Sequence, residues 1–298
     1  MATATALTRV GTRDRFEHRL SRGFGHWILP AFTFLAVCYL LLPIAVMIAF
    51  SFNRVDQSFG DGKFNFEWHA FSLSAWQHPI DWPGLPTSIA TSLWVAILST
   101  VGATILGTLI GLALTRYQFR GRSGINSLIF LPMATPEVVM GASLLTVFIG
   151  TATVSPFREL VPSGVFYPLG FVTILIAHIT FNISYVVVTI KARLAGFDRR
   201  LEEAAMDLGA NQWTTFWKVT FPLIFPGIMA AAVLAFSLSI DDFVITSFVS
   251  GTTNTFPIWV YSVQKNALPP QINVVGSLIF LISVGLVVLT TVWQRRRS

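Results

Sequence analysis

Three acidic residues, Glu137, Asp241 and Asp242, lie well inside long apolar stretches of the sequence, where charged side chains are rare. On insertion scales a charge at the centre of a bilayer costs about 2.5–3.5 kcal/mol, so such a residue usually faces a polar pathway or a polar partner. Carboxylates on a pathway can pair with cationic groups. All three are therefore candidate pathway residues, and the alternative for the adjacent pair is an interhelical or intersubunit polar clamp.

Polar side chains also interrupt a fourth apolar stretch, at His178, Asn182 and Tyr185. Asn182 and Tyr185 are three residues apart and share one face of a helix, where both can line a pathway. Interhelical hydrogen bonding is the favoured alternative, because polar side chains commonly join membrane helices in this way. We keep Tyr185 as a candidate pathway residue. No pair of histidines has the spacing of a metal site, so the sequence predicts no bound metal.

The elements that position these residues are long apolar helices. The chain has 298 residues, of which 53% are hydrophobic and only 11% charged, against about 25% charged in an ordinary soluble domain. A membrane-crossing helix needs about 20 apolar residues. Six such stretches predict an all-α membrane protein with six transmembrane helices, at roughly Trp27–Phe52, Pro86–Thr115, Ile125–Gly150, Phe166–Ile190, Pro222–Val249 and Ile272–Trp293.

The basic residues predict the orientation of these helices. If both termini are cytoplasmic, sixteen of the twenty Lys and Arg residues fall in cytoplasmic segments, as the positive-inside rule requires. This bias also accounts for the net charge of +6, so no nucleic-acid partner is needed. The predicted organisation is a basic N-terminal segment 1–26, a transmembrane domain 27–293 and a basic tail 294–298, with both termini in the cytoplasm.

The candidate carboxylates lie at different predicted depths. Asp241 is nineteen residues beyond Pro222, or about 28 Å along a helix, and should lie towards the outer end of its span. Glu137 is about twelve residues into the third span and should lie nearer the midplane. Adjacent side chains on a helix point about 100° apart. One of Asp241 and Asp242 can therefore face the pathway while the other holds a neighbouring subunit or a backbone group.

The connection 196–221, between the fourth and fifth predicted spans, has the pattern of two short helices separated by a glycine. Asp198 is placed to cap a first helix that extends to Leu208, and Gly209 can end it in a left-handed conformation. Asn211–Lys218 can form a second short helix, and Pro222 suits the first turn of the next span. This shape can enter a groove on another protein, although a plain surface hairpin explains it equally well.

The same connection resembles the EAA motif of ATP-binding cassette (ABC) importer permeases. The motif reads E-A-A, three residues, G, nine residues and I-x-L-P. Here Glu203-Ala204-Ala205 is followed at the same spacing by Gly209 and by Val219-Thr-Phe-Pro222. The resemblance implies a type I importer permease fold, with Glu203, Ala204, Ala205, Gly209 and Pro222 in the loop that docks an ATPase subunit. ATP and magnesium would then be bound by that partner, and this chain lacks the GxxxxGK[ST] pattern of a P-loop.

Two further segments resemble the PotC-like family of spermidine/putrescine permeases. Ala235-Phe-Ser-Leu-Ser-Ile-Asp-Asp leads to Ser247-Phe-Val-Ser-Gly251, as in the fifth span of that family, and Leu131–Gly141 is similar to its third span. The resemblance implies that the cargo is a polyamine, which carboxylates and aromatic rings can bind through ion pairs and cation–π contacts. Permeases for iron, thiamine or sulfate share the overall plan, so another small solute is the alternative.

The resemblance implies a complex in the bacterial cytoplasmic membrane. Its predicted members are this chain, a homologous second permease, two ATP-binding subunits and an extracytoplasmic binding protein. A secondary transporter or channel without an ATPase is the first rival, and the docking loop argues against it. A membrane enzyme is the second rival, and the chain has neither HExxH nor GxSxG.

Overall fold

The computed structural model describes residues 12–54, 68–153, 166, 168–265 and 269–295, and its regular elements in these ranges are helices. A single isolated antiparallel bridge joins Asn53 and Phe71. The helices are α1 Thr12–Phe50, α2 Ser74–Gln77, α3 Leu85–Arg116, α4 Arg122–Ala134, α5 Glu137–Thr153, α6 Phe171–Ala195, α7 Arg200–Asp207, α8 Gln212–Thr215, α9 Phe221–Ile240, α10 Val244–Val249, α11 Phe256–Val263 and α12 Pro270–Arg295.

The chain divides into two compact units, Met1–Pro79 with Ala267–Ser298, and Ile80–Asn266. In the first unit α1 packs against α12, and the approach is close at Gly276, where an added β-carbon would lie 2.7 Å from the Met47 sulfur. Just after α1, the ring of Phe52 stacks on Trp76 with 5.2 Å between centroids. The Trp76 indole donates a hydrogen bond of 3.1 Å to the Ser51 hydroxyl, so α2 is fixed to the end of α1.

The centre of the second unit is a bundle of α3, α6 and α9. Gly107 and Gly111, which form a GxxxG pattern in the sequence, lie on the face of α3 that meets α6. A β-carbon at Gly107 would lie 2.6 Å from Val186, and one at Gly111 would lie 2.9 Å from Ile190. Glycine is required at both positions because only a missing side chain lets the two backbones approach so closely. Val186 and Ile190 are fully buried as a result.

Two of the predicted spans are broken, and a single straight helix is wrong for each. The predicted span Ile125–Gly150 consists of α4 and α5, which are bent by 112° relative to each other. The bend falls at Thr135 and Pro136, because a residue before proline is disfavoured in the helical conformation. The predicted span Pro222–Val249 is interrupted after Ile240, and α10 begins only at Val244.

The all-helical prediction is confirmed for the described residues, and the count of six spans stays a prediction. Four described helices are long and apolar enough to cross a membrane, and the bent pair α4–α5 makes a fifth if it is counted as one span. Within α12 the described apolar part, Pro270–Leu281, is shorter than a span. Helix α1 extends across the predicted boundary at residue 26. Residues 1–11 of the predicted N-terminal segment and residues 296–298 of the tail lie outside the described ranges.

Candidate functional site

The three candidate carboxylates lie at the breaks of the two interrupted spans. Glu137 is the first residue of α5, directly after the bend, and Asp241 and Asp242 occupy the gap between α9 and α10. The helices that follow the two breaks are packed together. A β-carbon at Gly141 in α5 would lie 2.6 Å from the ring of Phe248 in α10. Breaks of this kind free backbone groups and place polar residues inside the apolar layer, which is how many transporters build a binding site.

The two adjacent aspartates have different environments, and the predicted 100° separation on one helix does not apply because the helix has already ended. Asp241 is exposed, and the hydrogen bond that its carboxylate makes is to its own backbone. The Asp242 side chain is only 7% exposed. Its Oδ2 atom accepts hydrogen bonds from the backbone N–H of Thr246 at 2.8 Å and from the Thr246 hydroxyl at 2.6 Å. Asp242 therefore holds the first turn of α10.

Asp242 is one end of a buried polar network that joins α3, α6, α9 and α10, which we call the polar clamp. It consists of Ser99, His178, Ser239, Asp242 and Thr246. The His178 Nδ1 atom lies 2.6 Å from the Ser239 hydroxyl, and Nε2 lies 2.8 Å from the Thr246 hydroxyl and 3.3 Å from Asp242 Oδ2. The Ser239 hydroxyl is also 2.9 Å from that of Ser99. The clamp therefore connects four helices through side chains alone.

One arrangement of protons satisfies the whole clamp with a neutral imidazole. The Thr246 hydroxyl donates to Asp242, so the oxygen of Thr246 accepts from His178 Nε2–H. The unprotonated Nδ1 then accepts from the hydroxyl of Ser239, whose oxygen accepts in turn from Ser99. The hydroxyls of Ser239 and Thr246 each donate one hydrogen bond and accept another, so in this arrangement the donations run from Ser99 to the Asp242 carboxylate.

The other polar residues of this region also differ in their exposure. Glu137 is exposed and Tyr185 is half-buried, and the two are close enough to interact electrostatically. Asn182 is fully buried, and neither atom of its amide has a hydrogen-bond partner among the described residues. Within the described residues Asn182 therefore does not make the interhelical hydrogen bond that the favoured alternative predicts.

The predicted helix–glycine–helix segment is confirmed in its first half. Asp198 Oδ1 accepts a hydrogen bond from the N–H of Arg200 at 3.0 Å, where α7 begins. Gly209 has φ +89°, a left-handed conformation that a residue with a side chain adopts only with strain. The second helix differs from the prediction of a separate element, Asn211–Lys218. It is the short α8, and a π-helical turn, Phe216–Thr220, joins it directly to α9, with Pro222 in the first turn of α9.

The docking segment, residues 196–221, is fixed to the transmembrane helices by Glu202. Its carboxylate pairs with Arg116 at the end of α3 and accepts a hydrogen bond from the Thr220 hydroxyl, just before α9. Arg199 also donates to the backbone oxygen of Thr115 at 3.3 Å. Sequence reasoning missed Glu202, because nothing in the local pattern distinguishes it from its neighbour Glu203.

The outer face of the docking segment is apolar and open. Leu208 is 89% exposed and Trp213 is 70% exposed, and both values are far above those of side chains in a packed core. The motif residues Glu203, Ala204 and Gly209 are exposed as well, and Ala205 is half-buried. Several large exposed apolar side chains within one short segment are typical of a protein–protein contact. Among the described residues there is no group of three or more side chains suited to hold a metal ion.

Comparisons with known proteins give the family of this chain. Residues 103–297 match the family described as "Binding-protein-dependent transport system inner membrane component", and the chain belongs to this family. The spermidine/putrescine transport system permease protein PotC of Haemophilus influenzae is 34% identical over 269 residues, which are 90% of this chain and 96% of that protein. The putrescine transport system permease protein PotI of Escherichia coli K12 is 35% identical, with 85% of each chain covered.

Solved structures support the same fold. A bacterial ABC transporter involved in the import of the acidic polysaccharide alginate has a chain that matches with a TM-score of 0.60 and 19% identity, covering 93% of this chain and 97% of that one. A chain of the MetNI methionine ABC transporter matches with a TM-score of 0.52 and 14% identity, over 68% of this chain and 90% of that one. At these identities the likeness concerns the fold alone, which is that of ABC importer membrane subunits.

Proposed function

We propose that this chain is the permease subunit of an ABC importer that carries a polyamine across the bacterial cytoplasmic membrane. The observation that carries the substrate class is the 34% identity with a spermidine/putrescine permease over nine-tenths of the chain. Exposed carboxylates at breaks in two spans are consistent with a cationic cargo, since an ammonium group can exchange its water for such ligands. ATP hydrolysis takes place on a partner subunit and drives the transport.

The docking segment is the proposed contact with the ATPase. Glu203, Ala204, Ala205 and Gly209 form its motif. The small side chains allow a partner surface to approach α7 closely, and exposed Leu208 and Trp213 offer an apolar contact area. The bridge from Glu202 to Arg116 transmits a displacement of α7 to α3. Pro222 belongs to this machinery because it starts the helix that the docking segment leads into.

The proposed pathway residues are Asp241, Glu137 and Tyr185. Asp241 and Glu137 are exposed, so a passing cation can reach their carboxylates. Asp242 serves the pathway indirectly. Its carboxylate already accepts two hydrogen bonds from Thr246, so its proposed role is to hold the break in shape and keep Asp241 at the surface.

The proposed assembly contains two ATP-binding subunits, a homologous second permease and an extracytoplasmic binding protein. The orientation places the docking segment and both termini in the cytoplasm, in agreement with the sixteen basic residues on that side. A different small solute, such as iron, thiamine or sulfate, is the alternative within the same class. Transport that continues without ATP would support a secondary transporter instead.

The deciding experiment uses the complete complex in proteoliposomes with its binding protein. ATPase activity is measured with the binding protein unloaded and then loaded in turn with putrescine, spermidine and unrelated solutes. We expect stimulation by at least one polyamine. If both polyamines fail while another solute stimulates, the polyamine assignment is wrong and the importer assignment stands.

Charge at position 241 is tested in the same system. Asp241→Asn removes the negative charge, and we expect KM for polyamine uptake to rise about ten-fold, since one hydrogen bond to a charged group contributes about 1.5–3 kcal/mol. Asp241→Glu retains the charge and should recover most of the affinity. Unchanged uptake by both variants would remove Asp241 from the pathway.

A further inference from the structure

A basic cavity lies at the end of the second unit that carries the docking segment, away from the polar clamp. Its volume is about 430 Å³, and its lining residues come from the end of α3, the start of α4 and the end of α6. They include two cationic side chains, Arg122 and Lys191, with the hydroxyl of Ser123 and the amide of Asn126 between them. No Asp or Glu is among the described lining residues, so the cavity has a strong excess of positive charge.

Both cations are held in place by neutral partners. Lys191 Nζ donates to the Oδ1 atom of Asn126 and lies 5.8 Å from the centre of the Phe130 ring. Arg122 Nε donates to the backbone oxygen of Leu114 at 2.8 Å. Neither side chain has an acidic partner among the described residues. Each side chain therefore has N–H donors left for a further ligand.

The position of α4 adds to this preference for an anion. Arg122 and Ser123 are the first two residues of α4, which is 13 residues long and begins after Gly121 without a side-chain cap. The first turn of a helix has backbone N–H groups without intrahelical partners and the positive end of the helix dipole. Together with two cations this is the donor arrangement that a phosphate group prefers.

Apolar side chains of α4 continue from the cavity along the outside of the helix. Ile125 is 43% exposed and Leu128 is 67% exposed. Both are one or two turns further from the basic end. A ligand with a phosphate at one end and a hydrocarbon chain at the other matches the basic cavity followed by the apolar side of α4. Basic pockets between membrane helices at the cytoplasmic face are known to favour such head groups.

We propose that this cavity binds the phosphate of an anionic phospholipid, with Arg122 and Lys191 as its ligands and the acyl chains along α4. The proposal relies on the proposed function only for the membrane and for the side on which the docking segment lies. A free phosphate would use the same donors but would gain nothing from the apolar face of α4.

Native mass spectrometry of the detergent-purified complex tests the proposal without any measurement of transport. The probes are a short-chain phosphatidylglycerol, the corresponding phosphatidylcholine, and inorganic phosphate as a competitor. We expect tighter binding of phosphatidylglycerol than of phosphatidylcholine and little competition by phosphate. Arg122→Gln and Lys191→Gln should each weaken binding about five-fold, because a basic residue near an anionic surface contributes about a factor of five.

Arg120→Gln is the matched control. Arg120 is exposed, lies two residues from Arg122 and does not line the cavity, so this variant removes the same charge and should bind as the wild type does. Arg122→Lys should restore part of the binding if the variant effect is electrostatic. Equal affinity of all three glutamine variants, or full displacement of the lipid by millimolar phosphate, would overturn the proposal. ATP-driven uptake is measured separately, so a failure of the importer assignment would be seen independently.

Discussion

Asp242→Ala gives the sharpest test of the polar clamp. The variant removes the carboxylate that accepts the N–H of Thr246 at 2.8 Å and its hydroxyl at 2.6 Å, and that lies 3.3 Å from His178 Nε2. Thr246 is fully buried, so water cannot replace the lost acceptor without opening the fold. A hydrogen bond to a charged group contributes about 1.5–3 kcal/mol, and Asp242→Ala removes the acceptor of two such bonds.

We therefore expect Asp242→Ala to lower the free energy of unfolding by about 3–5 kcal/mol. Asp242→Asn keeps an amide oxygen that can still accept from Thr246, so its loss should be smaller, about 1–2 kcal/mol. Asp241→Ala is the neighbouring control. Its carboxylate is exposed and bonds only its own backbone, and surface substitutions of this kind usually stay within about 0.5 kcal/mol.

The assay is equilibrium unfolding of the purified chain in mixed micelles with increasing SDS, followed by circular dichroism. The order of stability should be wild type and Asp241→Ala together, then Asp242→Asn, then Asp242→Ala. If Asp242→Ala unfolds at the same SDS concentration as the wild type but has lost polyamine uptake, Asp242 is a substrate ligand and its structural role in the polar clamp is refuted. Equal losses for both alanine variants would also contradict it.

Two further predictions concern the α3–α6 contact and the docking segment. Gly107→Val adds side-chain atoms at a position where a β-carbon alone would lie 2.6 Å from Val186. This variant should lose about 1–3 kcal/mol of stability in the same unfolding assay. Gly150→Val is the control and should lose much less, because no atom lies within 4 Å of its added β-carbon. Glu202→Gln weakens the bridge from the docking segment to α3 by about 1 kcal/mol after allowance for its partial exposure, so ATP-driven uptake should fall about five-fold. Arg120→Gln, at an exposed position outside the docking segment, should leave uptake unchanged. Equal uptake by both variants would contradict a coupling role for Glu202.

The parts of the fold that depend on neighbouring residues in the chain were predictable. The cap at Asp198, the left-handed Gly209 and the helix start near Pro222 all follow from local backbone chemistry, and the structure has each of them. The apolar stretches likewise mark helices, because hydropathy measures the cost of leaving lipid. The GxxxG pattern at Gly107 and Gly111 is a local signal for close helix approach, and the structure has that approach between α3 and α6; the pattern does not indicate which helix is the partner.

The two helix breaks, between α4 and α5 and between α9 and α10, were not predicted from the sequence, for two different reasons. The bend at Thr135–Pro136 has a local signal, because proline restricts the conformation of the residue before it. Hydropathy does not detect this signal, because a proline within an apolar stretch hardly changes the average. The break after Ile240 has no proline or glycine. It is stabilised by Asp242 capping α10 through Thr246 and by the approach of His178 from another helix. The contact between His178 and Asp242, which are 64 positions apart, cannot be predicted from a single sequence.

The bridge at Glu202 has a mechanical consequence when it is considered together with the polar clamp. Helices α3 and α9 are joined at one end by Glu202 through Arg116 and Thr220. They are joined again by Ser99, near the middle of α3, and Ser239, at the far end of α9. Because these two contacts lie far apart along α9, we expect α3 and α9 to move together when the docking segment is displaced. We expect the flexibility of the second unit to lie instead at the two helix breaks, which carry Glu137 and Asp241.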